Sequence, residues 1–181
     1  MDRIECRISG FGGQGVILAG VVLGLAAILD GKNAAQTQSY GPEARGGAAR
    51  SDVVFLDGEI DTLQVTKPNI IIAMSQEAHD KYLKGKLFDY AFIDSSIVQE
   101  YDKAPNVYAL PITQQAMDEL GSKVVANILM LGVVNKIAKI ASEDSLRKAV
   151  ENSVPLKTKE LNLRAVNLGL ALAERREAEN G

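Results

Sequence analysis

A glycine-rich segment near the start of the sequence has the residue types and the spacing of a loop that holds an anion. Residues 10–15 read GFGGQG, and the glycines at the first, third and sixth positions satisfy the G-x-G-x-x-G pattern. Glycines permit a tight turn and a close approach of backbone to ligand, and the amides at the start of a following helix face an anion. The candidate cofactor-binding residues in this segment are Gly10, Gly12, Gly13, Gln14 and Gly15. The alternative is that the glycines only allow a helix and a strand to pack closely.

A second glycine-rich segment carries the positive charge that a bound anion needs. Residues 39–47 read SYGPEARGG, and Arg50 follows shortly after them. Arg45 can present its planar guanidinium to an anion, while the glycines beside it let backbone amides come close. The candidate cofactor-binding residues here are Tyr40, Arg45, Gly46, Gly47 and Arg50. The alternative is a surface loop in which Arg45 and Glu43 are solvated or paired with each other.

The first loop lacks the partner that a nicotinamide site requires. The acidic residue that binds the ribose belongs at the end of the second strand, where residues 36–39 read QTQS. Asp30 stands at a suitable distance from Gly10, but it ends the first helix before that strand begins. The loop therefore predicts a phosphate cradle and does not favour NAD.

The apolar pattern embeds both loops in an α/β fold. Strands are predicted at residues 4–9, 33–38, 51–56, 69–75, 90–94 and 106–110. Helices are predicted at residues 16–29, 76–84, 124–140, 145–152 and 157–177. This order predicts a single Rossmann-like domain over residues 1–181, with a mostly parallel sheet, helices on both of its faces and a helical C-terminal portion. The loops after the first two strands then lie at the carboxyl edge of the sheet, where such folds bind ligands.

The first strand fits a central position poorly. Arg3, Glu5 and Arg7 alternate with apolar residues, whereas a central parallel strand is expected to be apolar on both faces. Either the strand begins near Cys6, or the charged face meets water or a partner chain.

Composition excludes several function classes. The 181 residues are 46% hydrophobic and 24% charged with a net charge of −3, which favours neither a nucleic-acid backbone nor an acidic membrane surface. No apolar stretch is long enough to span a bilayer, and the first residues lack the apolar run of a secretory signal, so we expect a cytoplasmic protein. Cys6, the only cysteine, cannot form an internal disulfide or hold an iron–sulfur cluster by itself.

The remaining polar residues suggest no catalytic group. His79 has no metal-like cluster or nucleophile near it in sequence, so we predict an exposed surface residue, no catalytic residue and no metal ligand in this chain. Asp94 is expected to cap the end of a strand. Asn127, within an apolar helix, is expected to bind the backbone of a neighbouring loop, or alternatively the ligand.

Three segments together resemble the gamma domain of 2-oxoacid:ferredoxin oxidoreductases. They are GFGGQGV at residues 10–16, YGPEARGG at residues 40–47 and NILMLG at residues 127–132. The likeness extends over almost the whole chain. It is nearest to the separate gamma chain of 2-oxoglutarate:ferredoxin oxidoreductases, which lacks ferredoxin-like cysteine motifs, and the single cysteine here agrees with that.

The resemblance implies a subunit that is inactive alone. Enzymes of this family oxidatively decarboxylate a 2-oxoacid, here 2-oxoglutarate by the nearest resemblance and pyruvate in other members, to an acyl-coenzyme A and reduce ferredoxin. Thiamine diphosphate, Mg²⁺ and iron–sulfur clusters are then held by partner alpha, beta and delta subunits. This chain would contribute to coenzyme A binding and assembly. The implied cradle of the coenzyme A diphosphate is Gly12, Gly13, Gln14 and Gly15, with Arg45 or Arg50 as counter-charge.

Two further expectations concern the chain by itself. The isolated subunit is a candidate homodimer. The alternative function is a free-standing Rossmann-like oxidoreductase that binds a nucleotide such as NAD or a flavin. Against that alternative stand the missing ribose-binding acid, the missing acid–base pair and the absence of a second substrate domain.

Overall fold

The computed structural model describes residues 3–39 and 48–180, and this part of the chain forms one six-stranded sheet with helices packed on it. The strands are β1 (Ile4–Gly10), β2 (Asn33–Ser39), β3 (Ala49–Leu56), β4 (Ile70–Ala73), β5 (Tyr90–Asp94) and β6 (Val107–Leu110). The helices are α1 (Val16–Leu29), α2 (Gln76–Tyr82), α3 (Ile112–Leu120), α4 (Ala126–Ala138), α5 (Glu143–Ser153) and α6 (Lys159–Asn180). None of the helices in this part is long and apolar enough to cross a membrane.

The strand order is β2-β3-β1-β4-β5-β6, which confirms the mostly parallel sheet. From β1 through β4 and β5 to β6, each neighbouring pair is parallel. Strand β3 pairs antiparallel with both β1 and β2, so β2 points in the same direction as β1. The predicted Rossmann-like order therefore contains one antiparallel strand inserted between the first two parallel ones.

One face of the sheet carries most of the core. Cys6, Ile8, Val53 and Phe55 point to this face and pack with buried residues of α1 and α3 to α6. Cys6 is fully buried, as expected for a small core residue, and burial raises the pKa of its thiol. The second face is covered by α2 and by a smaller apolar cluster that includes Ile71 and Leu83. Helices thus cover both faces, but unequally.

The charged row of β1 lies on this second face and is covered by the chain itself. The strand begins at Ile4 and includes Glu5, so a start near Cys6 is wrong. The guanidinium of Arg7 donates to both oxygens of Asp52 at 2.8 Å, and Glu5 accepts hydrogen bonds from the amides of residues 66 and 67. Arg7 and Glu5 are therefore compensated within the fold by β3 and by the segment that precedes β4.

Two glycines allow the closest helix contact in the core, between α4 and α6. A Cβ added to Gly132 would collide with the carbonyl oxygen of Val166 and lie 2.9 Å from the nitrogen of Leu170. Gly169 faces Gly132 across the contact, and a Cβ there would collide with the carbonyl oxygen of Leu129. The obstacles are backbone atoms, which cannot rotate away as a side chain can.

Asp30 joins the end of α1 to the start of α5. Its carboxylate accepts hydrogen bonds from the backbone amide of Ser142, from the Ser142 hydroxyl at 2.8 Å and from the Ser145 hydroxyl. Desolvation acts to raise the pKa of Asp30, but the hydrogen bonds from Ser145 and Ser142 outweigh it and lower the pKa. The carboxylate is therefore committed to the fold, which agrees with its exclusion as a ribose ligand.

We predict that Gly132→Ala lowers the free energy of unfolding by about 1–3 kcal/mol, because the added methyl group overpacks the contact between α4 and α6. Gly24→Ala in α1 is the matched control, since a Cβ there meets only the Val53 side chain at 3.6 Å and the Ala34 methyl at 3.9 Å. It should raise the free energy of unfolding by about 0.5–1 kcal/mol, because alanine is the better helix former. Urea denaturation measures both, and equal effects of the two variants would contradict the prediction.

We predict that Asp30→Asn lowers stability at pH 7 and that the difference from the wild-type chain narrows as the pH falls below about 4. A carboxylate whose folded-state pKa is depressed contributes its stability above the unfolded-state pKa and loses it as the pH falls through the folded-state pKa. Urea denaturation at pH 7 and pH 3 measures the difference. Asp102→Asn, which changes an exposed carboxylate without a hydrogen bond among the described residues, should show no such pH dependence.

Candidate functional site

The glycine-rich loop connects the end of β1 to the start of α1 through two residues of left-handed conformation. Gly13 has φ of 95°, and Gly15, which caps α1, has φ of 72°. A side chain is strongly disfavoured in this region, so both positions require glycine. The Gly15 carbonyl accepts a hydrogen bond of 3.0 Å from Nδ2 of Asn127, which confirms that Asn127 binds the backbone of a neighbouring loop. This bond ties the start of α1 to α4.

Gln14 closes the loop from inside. Its Oε1 accepts a hydrogen bond of 2.6 Å from the Phe11 amide, and its Nε2 donates to the Met74 carbonyl at 2.8 Å, just after β4 ends. The Gln14 side chain therefore hydrogen-bonds to the backbone just beyond the ends of the parallel strands β1 and β4. Of the sequence-predicted site residues, Gln14 is held by the fold rather than free to reach a ligand.

The glycines of the motif divide into two groups. A Cβ on Gly10 would collide with Oε1 of Gln14, and a Cβ on Gly15 would collide with the amide of Asn127. These two glycines serve close packing, as the alternative interpretation held. A Cβ on Gly12 or Gly13 would meet nothing within 4 Å. Packing therefore does not account for Gly12 and Gly13, which face open space.

That open space belongs to a cavity of about 350 Å³, here called the glycine-loop cavity. Its lining residues come from five places in the chain and are Phe11, Gly12, Gly13, Gln14, Met74, Ile97, Thr113, Lys123, Val124 and Ala126. Phe11 is 36% exposed and Val124 is 79% exposed, so apolar surface stands on both sides of the opening. Lys123 is exposed and is the one cation among these lining residues. The arrangement suits a ligand with an anionic part near the glycines and an apolar or flat part beside them.

Asp94 holds Thr113, one of the polar residues that line this cavity, in place. Its carboxylate is fully buried and accepts from the Thr113 hydroxyl at 2.5 Å, from the Thr113 amide at 3.2 Å and from the Ser96 amide at 3.1 Å. Asp94 thus caps the end of β5, as predicted, and orients Thr113 at the start of α3. The carboxylate has no capacity left for chemistry of its own.

Tyr40, Arg45, Gly46 and Gly47 lie outside the described residues. The strands on either side show where the segment is attached: β2 ends at Ser39, and Ala49 of β3 is in register with Gly10 of β1. Both attachment points therefore lie at the carboxyl edge, as predicted. Strand β3 separates β2 from β1 at this edge.

Arg50 does not join the glycine loop. Its Nε lies 3.6 Å from Oδ2 of Asp52, and its guanidinium lies 5.8 Å from the centre of the Tyr82 ring, on the face of the sheet that carries Arg7. It lines a different cavity from Gly12 and Gly13. The period-two alternation of β3, which puts Arg50 and Asp52 on one face, is the sequence signal for this position.

Three site residues that the sequence did not predict come from the second half of the chain. Thr113, Lys123 and Val124 reach the glycine loop only because α3 and α4 pack at the carboxyl edge of the sheet. No local motif marks them. The prediction of an exposed His79 was wrong: the residue is 3% exposed, and its Nδ1 lies 2.9 Å from Oδ1 of Asp80. In the part of the chain that the structure covers, no three histidine, cysteine or acidic side chains come together as metal ligands.

Comparison with known proteins agrees with this fold and motif. The family model for pyruvate ferredoxin/flavodoxin oxidoreductase matches residues 5–172. The 2-oxoglutarate synthase subunit KorC of Methanocaldococcus jannaschii is 48% identical over 95% of this chain and 95% of its own length, and the KorC subunit of Methanothermobacter marburgensis is 44% identical over 94% and 96%.

Solved structures of relatives share the fold of this chain. The gamma subunit of a keto/oxoacid ferredoxin oxidoreductase from Geobacter sulfurreducens has a TM-score of 0.82 and 39% identity, covering 95% of this chain and 99% of that chain. The 2-oxoglutarate:ferredoxin oxidoreductase of Magnetococcus marinus shares the fold at a TM-score of 0.78 and 23% identity, over 97% of this chain and 32% of that chain. The chain belongs to the pyruvate ferredoxin/flavodoxin oxidoreductase family, as a gamma-type subunit of a 2-oxoacid:ferredoxin oxidoreductase.

Proposed function

We propose that this chain is the gamma subunit of a 2-oxoglutarate:ferredoxin oxidoreductase and that it holds coenzyme A for the complex. The choice of 2-oxoacid rests on one observation. Identity to the KorC subunit of 2-oxoglutarate synthase from Methanocaldococcus jannaschii is 48%, whereas identity to the pyruvate synthase subunit PorC of the same organism is 28%. Both relatives are matched over more than 90% of their length, so the difference does not arise from partial coverage.

The glycine-loop cavity is the proposed site for the coenzyme A diphosphate. Gly12 and Gly13 face open space, and the amides near the start of α1 favour negative charge there. Lys123 supplies a cation on the opposite wall, and the apolar surface of Phe11 and Val124 suits the less polar parts of the ligand. A fold relative from Magnetococcus marinus was solved with 2-oxoglutarate, coenzyme A and succinyl-CoA bound, which supports this ligand class.

The proposed counter-charge for the coenzyme A diphosphate differs from the one that the sequence predicted. Arg50 shares Asp52 with Arg7 on the other face of the sheet, so we propose Lys123 in its place. Arg45 remains a proposed second cation, because the segment that carries it starts and ends at the carboxyl edge. In this arrangement the residues of this chain bind and orient the acyl acceptor and exclude water beside it.

The redox chemistry is proposed to belong to the partner subunits. Cys6 is the only cysteine of the chain and is fully buried, so this chain offers no ligand set for an iron–sulfur cluster. Thiamine diphosphate, Mg²⁺ and the clusters are therefore assigned to alpha, beta and delta subunits, and ferredoxin accepts the electrons from the complex. The isolated chain is proposed to be inactive and cytoplasmic, a single gamma-type domain over residues 1–181.

The alternative of a free-standing nucleotide-linked oxidoreductase has less support. Gln36, on β2, is bound to the Ile17 carbonyl at 3.0 Å and to the Ser51 hydroxyl at 2.7 Å, and Asp30 is bound to Ser142 and Ser145. Gln36 carries no carboxylate, and the carboxylate of Asp30 is occupied, so neither residue supplies the acid that holds the ribose of NAD. Turnover of an NAD-linked substrate by the isolated chain would support the alternative and overturn the subunit assignment.

We predict that Lys123→Gln weakens coenzyme A binding to the assembled complex about tenfold, because a charge-assisted contact to phosphate is lost. Isothermal titration of coenzyme A onto the complex measures the dissociation constant. Arg50→Gln is the matched control and should leave the constant unchanged, whereas Arg45→Ala should raise it. Unchanged affinity in both Lys123→Gln and Arg45→Ala would remove the glycine-loop cavity from the coenzyme A site.

We predict that Gln14→Ala loosens the loop and weakens coenzyme A binding severalfold without unfolding the chain. The variant removes two hydrogen bonds, each with a net contribution of about 1 kcal/mol. Hydrogen exchange of the Phe11 amide should accelerate, since its acceptor is Oε1 of Gln14. Gln115→Ala, which removes a half-buried glutamine side chain on α3, is the control and should change neither measurement.

A further inference from the structure

A second cavity of about 430 Å³ lies away from the glycine loop, on the opposite edge of the sheet. It is lined by Arg7 of β1, by residues 66–68 before β4, by the end of α2 and by residues 85–87 before β5. Residues that precede parallel strands lie at the amino edge, whereas the glycine loop follows β1 at the carboxyl edge. We call this second cavity the basic cavity.

All charged side chains that line the basic cavity are positive. Its lining includes the four cations Arg7, Lys67, Lys81 and Lys86 and no carboxylate. Among the described residues, no acidic side chain lies within ion-pair distance of the three lysines, although the whole chain has a net charge of −3. Positive charge is therefore concentrated here against the average of the molecule, which draws anions to the cavity.

The ring of Tyr82 lies close to two of these cations and to Arg50, which is not part of the cavity lining. The charged groups of Lys81, Arg7 and Arg50 lie 5.1, 5.4 and 5.8 Å from the centre of its ring. Each gains from the negative face of the ring, but the three repel one another. Two carboxylates lie nearby: Arg7 and Arg50 share Asp52, and Glu5 pairs with Arg3 and also attracts Arg7. These carboxylates serve the arginines, whereas the lysines of the cavity have no such partner among the described residues, so a bound anion would reduce the repulsion there.

The hydroxyl of Tyr82 is also unsatisfied. The residue is 6% exposed, and its hydroxyl has no hydrogen-bond partner in the part of the chain that the structure describes. A buried hydroxyl without a partner is uncommon and is explained in many proteins by a bound water or ion. The hydroxyl oxygen is enclosed by the protein, so Tyr82 contributes its ring rather than its hydroxyl to the wall of the basic cavity.

We propose that the basic cavity binds a small phosphorylated anion, separately from the proposed coenzyme A site. Four chain segments surround a concave space, which suits a compact ligand better than the flat surface of a protein partner. Several cations around one cavity favour a group with two or more charges, and phosphate oxygens can accept from ammonium and guanidinium donors together. The inference does not depend on the proposed function.

Inorganic pyrophosphate is the probe, titrated onto the full-length isolated chain and followed by backbone amide shifts in NMR spectra. We expect shifts at Gly85 and along α2 that saturate, with an affinity that falls as salt is added. The triple variant Lys67→Gln, Lys81→Gln, Lys86→Gln changes only exposed side chains and should weaken binding at least tenfold. The Lys123→Gln variant is the matched control and should leave the shifts at Gly85 unchanged.

Tyr82→Phe is a second control. It should leave pyrophosphate binding unchanged and should not lower the midpoint of urea denaturation, because the hydroxyl is enclosed away from the cavity and has no hydrogen-bond partner among the described residues. Shifts confined to Gly12 and Gly13, or an affinity unchanged in the triple variant, would overturn the proposal. Shifts at Gly85 that appear only when partner subunits are added, and never with pyrophosphate, would also overturn it and assign this surface to subunit contact.

Discussion

The ion pair between Arg7 and Asp52 is the constraint on which the arrangement of this domain depends. It is bidentate, its side chains are 12% and 5% exposed, and it joins the central strand β1 to its antiparallel neighbour β3. Burial acts to lower the pKa of Arg7, but the hydrogen bonds and the charge of Asp52 outweigh it and raise the pKa. A slip of one residue between β1 and β3 would separate the pair and turn Cys6 and Val53 out of the core. A buried pair of this kind specifies the register more than it adds stability.

With this register, the two faces of the sheet carry different residues and are covered by different elements. The face that carries Ile8 and Phe55 is apolar and packs against five helices. The face that carries Arg7 is polar along β1 and β3 and apolar along β4 and β5, and it holds cations around Tyr82. Since β1 also leads into the glycine loop, one strand positions both the carboxyl-edge cavity and the amino-edge cavity. The inserted antiparallel strand β3 is what allows Asp52 to stand opposite Arg7.

The glycine loop combines glycines that close packing requires with glycines that face a cavity. Gly10 and Gly15 are required by the side chains of Gln14 and Asn127, whereas Gly12 and Gly13 face a cavity. A motif of this kind is therefore weak evidence for a nucleotide until its neighbours are known. Here the neighbours are a lysine, a threonine fixed by Asp94 and apolar groups, and none of the residues that line the cavity is acidic. A wall of a larger site, completed by other subunits, is consistent with such an arrangement.

The sequence by itself determined the six strands, five of the six helices in the described part of the chain, the mostly parallel sheet, the glycine loop at its carboxyl edge and the family, because these depend on local periodicity and on contiguous motifs. Helix α3 was not among the predicted helices. It also identified Asn127 as a residue that binds backbone, since an amide buried in an apolar helix needs a partner. Only the tertiary structure decided that β3 runs antiparallel beside β1, that Arg50 turns away from the glycine loop, that His79 is buried and that Lys123 stands at the cavity. These features depend on which strands pair and which helices pack at one edge, as where Lys123 reaches the cavity beside Gly12 and Gly13. Contacts between such distant segments leave no spacing in the sequence from which they could be read.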